Sequence, residues 1–195
     1  MRTSLSLLVV LLAVSPAAAT VVVICTDVGN WTAEIKYDAS SENQLVRAFA
    51  LDITVDDSAT IDSISGFVRG NSTAANPGYG IFPGNFSTPV APPDDPGALG
   101  GLGTNGITVE LGSLYNFPQD APLPAGTLFE IGINPHGVSE VNLRIALNAI
   151  RGGIVMEDAS SPEVDLRGCT LVPEPATLVL LGLGGLALLR LRGKR

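Results

Sequence analysis

Four aspartates, Asp52, Asp56, Asp57 and Asp62, fall within one short stretch of the chain. Carboxylates brought together from a turn and its flanking strands offer the hard oxygen ligands that calcium prefers, and a bound ion would stiffen the loops supplying them. The spacing is not that of an EF-hand, whose loop needs a glycine at its sixth position and a glutamate at its twelfth. Turn acids also serve simply as a solvated surface. Calcium is the one cofactor the sequence suggests, and both readings stay open.

Other chemistry is sparse. The single histidine, His136, lies in the turn-forming run Asn134-Pro135-His136-Gly137. No Gly-x-Ser-x-Gly elbow accompanies it, which argues against a Ser-His-Asp hydrolase. With one histidine and two widely separated cysteines, Cys25 and Cys169, a zinc site is disfavoured. No phosphate-binding loop, dinucleotide fingerprint or zinc-protease motif is present. A glycosidase needs two carboxylates at a set separation, and among 19 acidic residues such pairs arise by chance. No catalytic residues are expected.

The elements that would hold these groups are strands. Trp31, Ala33, Ile35 and Tyr37 alternate with Thr32, Glu34, Lys36 and Asp38, which puts Trp31 on the core side of a strand. The same period of two recurs in Phe49-x-Leu51-x-Ile53-x-Val55, in Ile107-x-Val109-x-Leu111 and in Val141-x-Leu143-x-Ile145-x-Leu147. Such alternation marks half-buried strands. Val21–Cys25, Thr60–Val68, Thr127–Ile133, Gly153–Met156 and Glu163–Cys169 are further candidates, parted by Gly-, Pro-, Asn- and Asp-rich turns. Many short strands without intervening helices predict an all-β fold, a single antiparallel β-sandwich of jelly-roll type with eight or nine strands. The Gly- and Pro-rich stretch 70–106 breaks this rhythm, with Tyr79–Phe82 as its one candidate strand. Tyr79, Phe82 and Phe86 there could form a docking surface or anchor the loop to the core.

The ends of the chain are addresses. Arg2, the apolar stretch Leu5–Val14 and Pro16-Ala17-Ala18-Ala19 form a secretory signal, with signal peptidase expected to cut between Ala19 and Thr20. At the other end Pro173-Glu174-Pro175 precedes an uncharged apolar run, Ala176–Leu189, and the basic residues Arg190, Arg192, Lys194 and Arg195. As a helix that run covers about 21 Å of a hydrocarbon core about 30 Å thick, a short transmembrane helix whose basic tail stays in the cytoplasm. The expected division is therefore signal peptide 1–19, sandwich domain 20–172 and sorting segment 173–195.

The motif, run and tail resemble the PEP-CTERM sorting domain of Gram-negative bacteria. The resemblance implies recognition by exosortase, a membrane-embedded transpeptidase-like enzyme, and an association with exopolysaccharide and biofilm. It implies an inner-membrane-anchored precursor that is later placed at the cell surface or in the extracellular matrix. In an oxidising compartment Cys25 and Cys169 can pair, closing a loop for roughly 5 kcal/mol on a chain-entropy model; two separate buried thiols are the alternative. The exported segment carries six bases against eighteen acids, a net charge of −12. That charge excludes nucleic acid as a natural partner. Val46–Val68 and Gly126–Val155 are faintly similar to cohesin-like and carbohydrate-binding sandwiches, which implies a module binding polysaccharide or another surface protein. The expected function is thus a non-enzymatic exported protein. An extracellular lyase or glycosidase using paired carboxylates is the alternative.

Overall fold

The computed structural model describes residues 20–173, apart from 57 and 84–86. Ten strands form among the described residues: β1 Thr20–Gly29, β2 Thr32–Asp38, β3 Val46–Val55, β4 Thr60–Ser65, β5 Gly106–Gly112, β6 Ala125–Asn134, β7 Val141–Leu147, β8 Ile154–Met156, β9 Glu163–Arg167 and β10 Cys169–Leu171. One sheet runs β4-β6-β2-β1-β9; the other runs β10-β7-β3-β5, with β8 also pairing β3. The two face each other as a sandwich. Because side chains alternate across a strand, Val21, Val23 and Cys25 of β1, Ala33, Ile35 and Tyr37 of β2, and Phe49, Leu51, Ile53 and Val55 of β3 all reach one shared core.

The strand count exceeds the expected eight or nine for a local reason. The predicted strand Glu163–Cys169 is two strands, β9 in the first sheet and β10 in the second. Gly168 stands at the switch, where a Cβ would lie 2.2 Å from the Leu143 carbonyl oxygen. No side chain fits there, so the chain can pass close to β7 and change sheets. The sandwich is also not wholly antiparallel, since β9 pairs with β1 in parallel, Thr20 opposite Glu163 and Ile24 opposite Arg167.

Trp31 lies in a turn, not on β2. Gly29 pairs with Thr32, and the two residues between them, Asn30 and Trp31, both have positive φ, 51° and 57°. Two such residues suit the twist of a two-residue hairpin, but the conformation is uncommon for a residue as bulky as tryptophan. Its side chain is half-buried against the core. The predicted strand Thr60–Val68 stops at Ser65, and the candidate strand Tyr79–Phe82 reduces to isolated bridges, Gly70 to Gly80 and Ile81 to Gly112. The aromatics of that stretch anchor it. Tyr79 is buried, meets Tyr37 and Phe49 edge to face, and donates its hydroxyl to the Val46 carbonyl at 3.1 Å. Burial pushes the Tyr79 phenol well up from its ordinary pKa. Phe82 meets Phe67 in the same manner, and Phe86 lies outside the described residues.

Candidate functional site

Two places could carry function: the junction from which the sorting segment leaves, and the outer face of the β10-β7-β3-β5 sheet. At the junction, Cys25 of β1 and Cys169 of β10 form a disulfide across 144 residues of sequence, their Cα atoms 5.3 Å apart. The Asp27 carboxylate then accepts from the Gly29 N–H at 2.8 Å and from the Val172 N–H at 3.2 Å. The last residues before the sorting motif are therefore tied to the first strand. The Thr20 N–H donates to the Ser41 hydroxyl at 3.0 Å, at the opposite end of β1. Of the sequence-predicted sorting groups, Pro173 ends the described chain. Ala19, Glu174, Pro175, the apolar run and Arg190, Arg192, Lys194 and Arg195 lie outside the described residues, so the expected transmembrane helix does too. Among the described residues no helix is long and apolar enough to cross a membrane.

Of the four aspartates expected as calcium ligands, the three described ones, Asp52, Asp56 and Asp62, each bond to different neighbours. Asp52 accepts from the Thr108 hydroxyl at 2.6 Å and from the Asn148 amide at 2.9 Å. Asp56 accepts from the Asn142 backbone N–H at 2.8 Å and from its side-chain amide at 3.0 Å, with the Arg144 guanidinium 3.8 Å away. The Asn142 backbone first, then its amide and Arg144, hold the Asp56 carboxyl below its ordinary range. Asp62, on β4 in the other sheet, accepts from Thr60 at 2.7 Å, and the same hydroxyl is 3.1 Å from His136 Nε2. Asp57 lies outside the described residues. No group of three or more His, Cys, Asp or Glu forms a metal cluster among the described residues. The physical reason is the pleat: Asp52 and Asp56 sit four residues apart on an extended strand, about 13 Å, and each is satisfied by its own neighbours.

Sequence reasoning missed the second place. On the outer face of the β10-β7-β3-β5 sheet, Arg151 reaches Glu110 at 2.5 Å and Asp95 at 3.3 Å. Glu110 in particular raises the Arg151 pKa. Asn148 ties the same face to the covering segment, donating to the Gly97 carbonyl at 2.7 Å and accepting from the Ile150 and Arg151 N–H groups at 3.1 Å each. Beside this network an open cavity of about 280 Å³ is lined by the small residues Ala48, Ala50 and Gly112 together with Phe82, Val155 and Arg151. Its chemistry suits an apolar group beside an ion pair. The participants are distant in sequence and no local pattern links them, which is why only the fold reveals the arrangement.

The fold and the junction define an all-β domain that hands over to a C-terminal sorting signal without a linker. That signal is a PEP-CTERM protein-sorting motif: residues 171–195 match its family model, the match beginning at the final residue of β10. No curated protein matches the chain. Among solved structures the chain is similar to a non-cellulosomal cohesin from the hyperthermophilic archaeon Archaeoglobus fulgidus, at 12% identity and a TM-score of 0.47, covering 85% of this chain and 98% of that one. It is also similar to the type I cohesin of OlpA from Clostridium thermocellum, solved with a dockerin, at 11% identity and a TM-score of 0.47 over 80% and 99% of the two chains. A third, the ScaC cohesin of Acetivibrio cellulolyticus in complex with a ScaB dockerin, gives 8% identity and a TM-score of 0.45 over 79% and 99%. Each likeness concerns the arrangement of strands alone.

Proposed function

We propose that this is an exported, non-enzymatic surface or matrix protein, delivered by an exosortase-type enzyme that reads Pro173-Glu174-Pro175 and acts while Ala176–Leu189 holds the precursor in the membrane. Signal peptidase releases the N-terminus between Ala19 and Thr20. The sandwich then serves as a structural or binding module among exopolysaccharide or other surface proteins. The observation that carries this reading is the PEP-CTERM match at residues 171–195, continuous with a strand that a disulfide fixes to β1. The non-enzymatic part is supported by the state of the acids, since Asp52, Asp56 and Glu110 are each engaged by donors or by a guanidinium within the domain.

Intact-mass spectrometry of the protein from cells containing the processing enzyme tests the reading. The expected mature chain begins at Thr20 and lacks Ala176–Arg195. A mature chain that retains the whole tail overturns the processing step.

A further inference from the structure

The direction in which the chain leaves the sandwich fixes the end of the domain from which the sorting segment departs. β1 runs from Thr20 to Gly29, β9 lies parallel to it, and β10 continues in the same direction after the switch at Gly168. The last contacts, Cys169 to Cys25 and the Val172 N–H to Asp27, climb toward the Gly29 end. Pro173 therefore emerges beside the Asn30-Trp31 turn, and Thr20 lies a strand length away, about 30 Å.

The reach beyond that point is short. From Val172 to Ala176, where the uncharged run begins, is four residues, at most about 14 Å of extended chain. The polar headgroup layer takes up roughly 6 Å of this on each side of the hydrocarbon core. Too little remains for the domain to stand clear of the lipid while the run is inserted.

The surface at this end fits such a place. Val28 and Val172 are 49% and 48% exposed beside the exit, and Leu102 is 42% exposed next to Gly103, which bonds to β4 near Trp31's level. Trp31 sits at the hairpin apex, and tryptophan favours the membrane interface, where its ring meets apolar chains and its N–H meets water. Among the described residues, the charged groups near the exit include Asp27, Glu34, Asp56 and Glu140 against Arg144 and Arg167, a net acidic set that suits zwitterionic better than anionic headgroups. The far end exposes more apolar surface, at Leu114, Phe117 and Leu123. The tail, not hydrophobicity, decides between the two ends.

We infer that the Trp31 end of the sandwich rests on the zwitterionic lipid surface of the membrane holding the precursor, so that the end bearing Leu114, Phe117 and Leu123 is turned away from the lipid. This rests on the proposed function in one respect, the insertion of Ala176–Leu189. Trp31 is the only tryptophan, so it reports its own surroundings.

The test uses the full chain with its tail, reconstituted in phosphatidylcholine vesicles whose acyl chains are or are not brominated. Flotation with the vesicles and at least about twofold quenching of Trp31 emission by the brominated lipid are expected. A Gly-Ser spacer of about twelve residues inserted between Val172 and Pro173 should leave flotation intact and remove most of the quenching. Flotation with unquenched Trp31 overturns the contact alone. Failure to float overturns the insertion reading and the contact with it. Quenching equal in the spacer variant overturns the tethering argument. Contact that forms only when the processing enzyme is present overturns the assignment to lipid and transfers this surface to the enzyme.

Discussion

The two outer faces of the sandwich are built from strands of the same period yet end in different states. On the β4-β6-β2-β1-β9 sheet the outward residues meet solvent: Glu34 pairs with Lys36 at 2.7 Å and accepts from the Thr127 hydroxyl at 2.6 Å, and the Lys36 side chain is 46% exposed. On the other sheet the outward residues around β5 and Asn148 are roofed by the Gly- and Pro-rich segment, while those of β7, such as Arg144, stay exposed. Pro89 and Ala91 bond to the Glu110 and Thr108 backbone along the edge of β5, and above the face Leu99 N–H and Gly97 O bond to the Thr108 hydroxyl and the Asn148 amide. Thr108 and Asn148 are consequently buried. A polar group on a bare face can fall back on water, whereas under a roof it must find its partner in the protein. The covered face should therefore be the sensitive one.

The sharpest way to break the contrast is Asn148→Ala. That side chain gives donors to Asp52 and Gly97 and accepts from two backbone N–H groups at the start of the short 3-10 turn Ala149–Arg151. Losing a capping acceptor and leaving a partly buried carboxylate and carbonyl each one donor short is expected to cost about 2 kcal/mol. Urea unfolding of the variant measures it. A loss below about 1 kcal/mol would mean that water already reaches under the roof and that the two faces do not differ as argued.

How much of this was legible in the sequence follows the same division. The core faces of β2, β3, β5 and β7 were readable because one side of each strand is buried and the alternation records it. The disulfide was readable from the export signal and two cysteines near the domain's ends. The roof was not, because a Gly- and Pro-rich segment carries no period, and its contacts join Gly97 to Asn148 and Asp95 to Arg151, across distances that no motif spans. For the same reason the four aspartates looked like a cluster: nearness in sequence suggested nearness in space, but an extended strand separates Asp52 from Asp56, and Asp62 belongs to the opposite sheet. Gly168 was invisible as a sheet switch because the strand pattern runs unbroken through Glu163–Cys169.

A second prediction sharpens what the covering does to charge. The Arg151 and Glu110 side chains are 12% and 13% exposed, so removing the cation leaves a largely dehydrated carboxylate. Arg151→Met is expected to destabilise by about 2 kcal/mol, and adding Glu110→Leu to recover most of that loss, since an apolar pair of similar volume needs no compensation. Calorimetric melting of the two variants provides the comparison. If the double variant melts as low as the single one, the guanidinium acts chiefly through Asp95 and packing, not through the buried pair.

On the bare face the corresponding change should hardly register. Lys36→Met removes one partner of Glu34, yet the ammonium is exposed and screened and the Thr127 hydroxyl still donates to the carboxylate, whose side chain is 17% exposed, so a loss of about 0.5 kcal/mol is expected. Its pH dependence carries the information. The Lys36 ammonium first, then the Thr127 hydroxyl, hold the Glu34 carboxyl below its ordinary value of 4.5. A carboxyl whose folded pKa is lowered contributes stability above its unfolded pKa and loses it as the pH falls through the folded one. The small difference between wild type and Lys36→Met should therefore be present at neutral pH, shrink below 4.5 and vanish in stronger acid. It should also fade in high salt, which screens the exposed Lys36 ammonium more readily than the Arg151 guanidinium, 12% exposed. Unfolding curves for both proteins across that pH range, at low and high salt, decide the matter. A difference that persists in acid would show that Lys36 stabilises the open face through its alkyl stem, and the contrast between the faces would then be one of packing, not of charge.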